Sequence, residues 1–120
     1  MSYIDGFLVP VPVDKRDAYV ATAQKMTAFF ERHGAIRVVE CWGNDIPDGK
    51  VTDFKRAVAA QPGENVVFSW IEWPTKEARD KAGKAMMEDA GMKDMDVPFD
   101  GRRMIFGGFE VLLDFKGSKS

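Results

Sequence analysis

Two glutamates draw attention because each lies close to tryptophan. Glu40 is followed by Cys41-Trp42, and Glu72 falls between Trp70 and Trp73. A carboxylate held among Trp42, Trp70 and Phe68 is poorly hydrated, so its pKa rises and it becomes a general acid or base. The competing reading pairs each glutamate with an arginine, Arg37, Arg102 or Arg103, across a subunit interface. His33 is the only histidine, which excludes multi-histidine metal sites and a Ser-His-Asp triad with a histidine to spare. It would either carry protons for the glutamates or cap the end of a helix, where the dipole favours its charged form. Arg102-Arg103, after the Asp100-Gly101 turn, offers planar bidentate geometry for an anion, unless neighbouring acids hold both. Tyr19, Trp42 and Trp70 would wall a ligand pocket. Cys41 reads as a buried, inert thiol, and Met86, Met87, Met92, Met95 and Met104 as gap-filling side chains rather than metal ligands.

The elements that must position these residues follow from apolar period and punctuation. Tyr3 to Val11 alternates as a strand, ending where Pro10 and Pro12 remove ladder donors. Asp14 caps a helix that places Tyr19, Ala23, Met26, Phe29, Phe30 and His33 on one stripe, stopped by Gly34. A second strand runs from Ala35 to Trp42, followed by turn residues from Gly43 to Gly49. Thr52 caps a short helix that closes at Pro62-Gly63. A third strand, Asn65 to Trp73, is rich in Val, Phe, Trp and Ile. Thr75 then caps a helix with Ala78, Ala82, Ala85 and Met86 inward, stopped at Gly91. An irregular stretch leads to a last strand from Arg103 to Phe115.

This order is βαββαβ with a small extra helix. It predicts an α+β, ferredoxin-like fold: a four-stranded antiparallel sheet with both main helices on one face. Residues 1–115 form a single domain in this reading, and 116–120 a polar tail. Strand alternation sorts Val39, Cys41, Val67, Ser69, Ile71, Ile105, Phe109 and Val111 onto the helix-covered face. The opposite face then carries Glu40, Trp42, Phe68, Trp70, Glu72, Met104, Phe106 and Glu110. So much exposed aromatic surface needs a cover, and a second copy of the chain supplies one.

The 120 residues hold 17 Lys+Arg against 19 Asp+Glu, a net charge of −2, and one cysteine. That balance gives no electrostatic basis for nucleic-acid binding. Phe106-Gly107-Gly108-Phe109 loosely resembles the aromatic-glycine block of an RNA-recognition domain, but it lies on the fourth strand rather than the third. No apolar run nears the roughly 18 residues of a membrane span. Secretory signal features are missing from Met-Ser-Tyr-Ile-Asp-Gly, which points to the cytoplasm. Phosphate-binding glycine loops and paired Cys-x-x-Cys motifs do not occur, so no cofactor is expected.

Several blocks together resemble a known family. They are Tyr3-Ile4-Asp5-Gly6-Phe7, Gly34-Ala35, Glu40-Cys41-Trp42-Gly43, Phe68-Ser69-Trp70-Ile71-Glu72-Trp73-Pro74, and the run from Phe99-Asp100-Gly101 through Phe106-Gly107-Gly108-Phe109. The chain resembles the YbaA-like bacterial domain of unknown function, up to about Leu113. That family looks like a member of the dimeric α+β barrel superfamily, in which two ferredoxin-like sheets pair face to face. The superfamily includes cofactor-independent monooxygenases, haem-degrading enzymes, lactone isomerases and small ligand-binding modules. The resemblance implies fold and homodimerisation, and it transfers no catalytic residue. Two functions are therefore expected to compete. One is a homodimer binding a small, partly apolar molecule, as a monooxygenase- or isomerase-like enzyme without cofactor if it is catalytic. The other is a non-catalytic structural or interaction dimer in which the same residues only pack.

Overall fold

The computed structural model of the chain describes residues 2–118; Met1 and the last two residues of the expected tail lie outside the described residues. Strand β1 (Tyr3–Pro12) leads through a 3-10 turn (Val13–Lys15) into helix α1 (Arg16–Arg32), and β2 (Arg37–Trp42) returns along the sheet. A short α2 (Phe54–Ala57) precedes β3 (Glu64–Trp73), then α3 (Lys76–Glu88), a one-turn α4 (Ala90–Lys93) and β4 (Ile105–Glu110). The strands form one antiparallel sheet in the order β2-β3-β1-β4. This is the expected ferredoxin-like arrangement, because two interleaved βαβ units place their first strands side by side in the centre.

Local chemistry explains most element ends. The Thr75 side chain accepts from the Ala78 N–H and starts α3 as expected. Gly34, at φ 98°, takes the left-handed conformation that stops α1. Three other expectations shift. Asp14 lies inside the 3-10 turn and caps nothing, so α1 begins at Arg16 without a side-chain cap. Asp53, not Thr52, caps α2 through the Arg56 N–H. Asp89 caps α4, so α3 ends before Gly91. The last strand is also shorter than expected: pairing stops at Glu110, and Leu112, Leu113 and Phe115 beyond it stand in solvent.

The register decides which side chains share a face, and it corrects the sequence reading in two strands. Glu40 lies opposite Ser69 and Trp42 opposite Val67, so both belong to the helix-covered face, while Val39 and Cys41 belong to the outer face. Phe106 lies opposite Phe7, and this places Phe106 on the helix side of the sheet, 71% exposed at the edge of that face, and Ile105 and Phe109 on the other side. In β3 the expected sorting holds: Val67, Ser69 and Ile71 face inward, Phe68, Trp70 and Glu72 outward. Side-chain direction alternates along a strand, so an error of one residue in parity moves every side chain to the other face.

The core is divided. Val9, Val11, Tyr19, Ala23 and Val67 form one buried cluster, and Ile71, Trp73 and Ala82 form another. Phe7 packs against both. Between them the helices and the sheet do not close.

Candidate functional site

The gap between the two clusters is a cavity of about 520 Å³, bounded by the inner face of the sheet below and by α1 and α3 above. That volume is in the range of sites for small molecules. Its wall is mainly apolar: Phe7, Met26, Phe30, Trp73, Phe99 and Met104 all contribute. Aromatic packing stiffens it, with Phe7 stacked on Phe106 at 6.2 Å and Tyr19 tilted against Phe99 at 5.8 Å between ring centres. Charged groups enter in two places, and Thr22 and Thr27 add hydroxyls from α1.

At one place Glu40 reaches in from β2. Tyr19, in the first turn of α1, donates its hydroxyl hydrogen to Glu40 Oε1 at 2.7 Å. Glu40 also lines a shallow groove between α1 and β2, with Val20, Gln24 and Val38. Glu40 is exposed at this groove and also borders the cavity, so its carboxylate stands between the two. No lysine or arginine forms an ion pair with it among the described residues. Loss of hydration raises its pKa above the usual glutamate value, and the Tyr19 hydrogen bond offsets part of that rise. Tyr19 is pushed far above the ordinary phenol range, first by burial and then by the negative charge and hydrogen bond of Glu40, while the Ser69 hydroxyl acts in the opposite sense. Ser69, almost fully buried, sits opposite Glu40 on β3. Together these residues make a small polar island that can take up or release a proton at Glu40.

The second polar place is built on Arg79 of α3. Its Nε donates to Asp5 Oδ1 at 3.0 Å, Nη1 to Asp80 at 2.8 Å and Nη2 to the Tyr3 hydroxyl at 3.2 Å. Trp73 Nε1 donates to the other Asp5 oxygen at 3.0 Å. Gly108 leaves the space this cluster occupies: a Cβ there would land on Arg79 Nη2 and on the Tyr3 ring and hydroxyl.

The other residues singled out from the sequence lie elsewhere. Glu72 is on the outer face, where its Oε2 accepts from Ser2 at 2.6 Å, so the two glutamates do not meet in one site. Trp70 is also outside, beneath the Arg37 guanidinium at 5.2 Å. Trp42 packs against the first core cluster with Arg16 over its ring at 5.3 Å, beside the cavity rather than in its wall. His33 bonds through Nδ1 to the Phe29 carbonyl at 2.9 Å and stacks on the Phe29 ring, so it sits at the end of α1. Arg103 is held by Glu64 at 2.6 and 2.8 Å and by Asp100 at 3.0 Å, which ties the loop before β4 to the start of β3. Arg102 pairs with Asp100 and is 92% exposed. Cys41 is exposed, because β2 runs with the opposite parity to the one expected. Among the described residues, no three of His, Cys, Asp and Glu come together as a metal-binding set.

Sequence reasoning passed over Ser69, Asp5 and Arg79. Asp5 carried a usable signal, since a lone acid in an apolar strand needs a partner when its face is covered. Arg79, 74 residues away, could not be matched to it without the fold.

A divided-core, ferredoxin-like α+β protein with an acidic group in its cavity is the class that fold and geometry define. The chain belongs to the family described as protein of unknown function DUF1428, whose profile matches residues 2–101. It is similar to uncharacterized protein YbaA of Escherichia coli strain K12, with 57% identity over 116 residues, covering 95% of this chain and 99% of that one. The same figures hold for uncharacterized protein YbaA of Shigella flexneri. Two solved structures from uncultured marine organisms, each named a dimeric ferredoxin-like protein, share the fold. The first has a TM-score of 0.57 at 9% identity, covering 96% of this chain and 99% of the other. The second has a TM-score of 0.56 at 12% identity, covering 96% and 100%.

Proposed function

We propose that this protein binds a small, mostly apolar molecule in the cavity between helices and sheet, and that Glu40 exchanges a proton with it. The observation that carries this reading is Glu40 itself: a carboxylate with raised pKa, hydrogen-bonded by Tyr19, free of any ion pair among the described residues, and lining an apolar cavity. Such a group can give up or accept a proton at a bound molecule, and proton transfer at carbon needs no cofactor. Binding is tested by labelling methionine methyls with carbon-13 and adding indole. Met26, Met86 and Met104 line the cavity, whereas Met87 is 68% exposed outside it. Shifts confined to the first three support the site; shifts at Met87 alone count against it. Chemistry is tested by deuterium exchange from solvent into a bicyclic ketone such as tetralone. Exchange above buffer background that Glu40→Gln loses supports an enzyme of the isomerase kind, and background exchange throughout supports a binding module.

The same reading makes the protein a cytoplasmic homodimer joined through the outer sheet face. Phe68, Ile105 and Phe109 are 47%, 44% and 59% exposed there, together with Trp70 and Cys41. Two solved proteins of this fold are named dimeric, which supports a similar pairing. A stable dimer of this kind would bury more than about 1,200 Å² in total, and sedimentation equilibrium reads its presence directly. No helix among the described residues is long and apolar enough to cross a membrane. A purely structural dimer is the second reading, favoured by the ion pairs that already occupy Arg102 and Arg103.

A further inference from the structure

Helix α3 contains a glycine that its own structure does not require. Gly83 lies in the interior of the helix, away from both ends, where glycine is less stable than alanine. Its φ is not positive, and a Cβ built on it would meet nothing within 4 Å. Neither backbone conformation nor close packing therefore accounts for it. Position does. Arg79, Ala82, Gly83 and Met86 follow the i, i+3, i+4, i+7 spacing of one helix face, and all four line the cavity. Gly83 is also exposed, so it stands where the cavity meets solvent. On the other side α1 gives the cavity Thr22, Ala23 and Met26, and the two helices scarcely touch each other. The result is a cleft between α1 and α3 with a missing side chain at its edge.

We infer that Gly83 sets the width of the passage through which a ligand reaches the cavity, and that the passage suits a flat, largely apolar ring compound bearing one hydrogen-bonding group. The flatness follows from a cleft between two helices above a sheet. The apolar body matches Phe7, Phe30 and Trp73 in the wall, and the single polar group matches Glu40 and Tyr19. This inference rests on the cavity being the binding site, as proposed above. A side chain at position 83 would start along the inward stripe at the opening, where its Cβ meets no atom of the protein within 4 Å, and a longer one would reach across the path.

The test uses the full chain, with indole as probe and the methyl signals of Met26, Met86 and Met104 as reporters, comparing wild type with Gly83→Ala and Gly83→Leu. Gly83→Ala should melt at a higher temperature than wild type, because it removes a helix-interior glycine and its Cβ meets no neighbour, and a cooperative melt of Gly83→Leu checks that this variant is folded. Gly83→Leu should slow indole association by about tenfold or more, equivalent to about 1.4 kcal/mol added to the entry barrier. Gly83→Ala, with a side chain of one methyl, should stay within about threefold of wild type. Unchanged association in Gly83→Leu, with wild type still shifting the three methyls, overturns the passage and leaves the binding site standing. Weaker affinity at an unchanged association rate also overturns it, since that marks lost volume rather than a blocked path. Wild type that shifts none of the three methyls overturns both the passage and the site.

Discussion

The Tyr19 hydroxyl on α1 and the Glu40 carboxylate on β2 meet in one 2.7 Å hydrogen bond that moves their titrations in opposite directions. The bond favours the charged form of Glu40, and the charge of Glu40 disfavours ionisation of Tyr19. Tyr19→Phe should therefore raise the Glu40 pKa further, because the burial cost stays and the offsetting donor is lost. Carbon-13 titration of the Glu40 carboxyl reads the shift; a downward move would show that the Tyr19 hydroxyl does not favour the charged form.

Glu40 also sets a sign for stability against pH. Its folded pKa lies above the ordinary 4.5, so its contribution is fully present below that value and is lost as pH rises through the folded pKa. Glu40→Gln removes the loss while keeping volume and a hydrogen-bond acceptor for Tyr19. At pH 7 the variant should be as stable as wild type or more so, by no more than about 1 kcal/mol for a partly exposed group. Urea unfolding at pH 5 and pH 8 should show a smaller difference for the variant than for wild type.

Asp100 and Arg103 predict an acid limb. Arg103, followed by the Arg102 backbone N–H, holds Asp100 down to about 2 from an ordinary 3.8. The contribution is thus present above 3.8 and disappears as pH falls through about 2. Arg103 also holds Glu64 below its usual range. Arg103→Ala should lower stability at neutral pH and flatten its fall between roughly pH 4 and 2, as followed by thermal melts in acid buffers.

The two faces of the sheet make opposite predictions for two phenylalanines. Phe68→Asp places a charge on the outer face and should weaken a dimer by about 2 kcal/mol or more, the scale of an interface anchor. Phe106→Asp, on the cavity side, should leave the sedimentation coefficient unchanged and weaken indole binding. Dissociation by the second variant and not the first would put the interface on the wrong face.

Two glycines should answer alanine with opposite signs. Gly108→Ala puts a methyl group into the Arg79–Tyr3 contact and should cost about 1–3 kcal/mol. Gly83→Ala should gain up to about 1 kcal/mol, the usual difference in a helix interior. Chemical denaturation of both variants settles the signs.

Element order, strand pairing and the α+β class were all legible in the sequence. Alternation, helix stripes and turn residues are local signals, and the chirality of βαβ units leaves few ways to assemble them. Glu40 and Tyr19 could each be singled out as well, one as an acid among aromatics and the other as a cavity wall. Their hydrogen bond could not, because it depends on how α1 lies across β2.

What the tertiary structure decided was parity. In β2, Val38, Glu40 and Trp42 compete with Val39 and Cys41, and neither set is cleanly apolar. In β4 each set has an aromatic and a glycine. Polarity alone assigned Glu40 to the outside with Glu72. The register with Ser69 turns it inward and leaves Glu72 with Ser2 on the other face. The physical reason is that a sequence records which residues alternate, while the face each set occupies is chosen by pairing across strands and by the helices that cover one side. The pair of glutamates suggested by the sequence becomes one glutamate in a cavity, and its partner is a tyrosine 21 residues earlier in the chain.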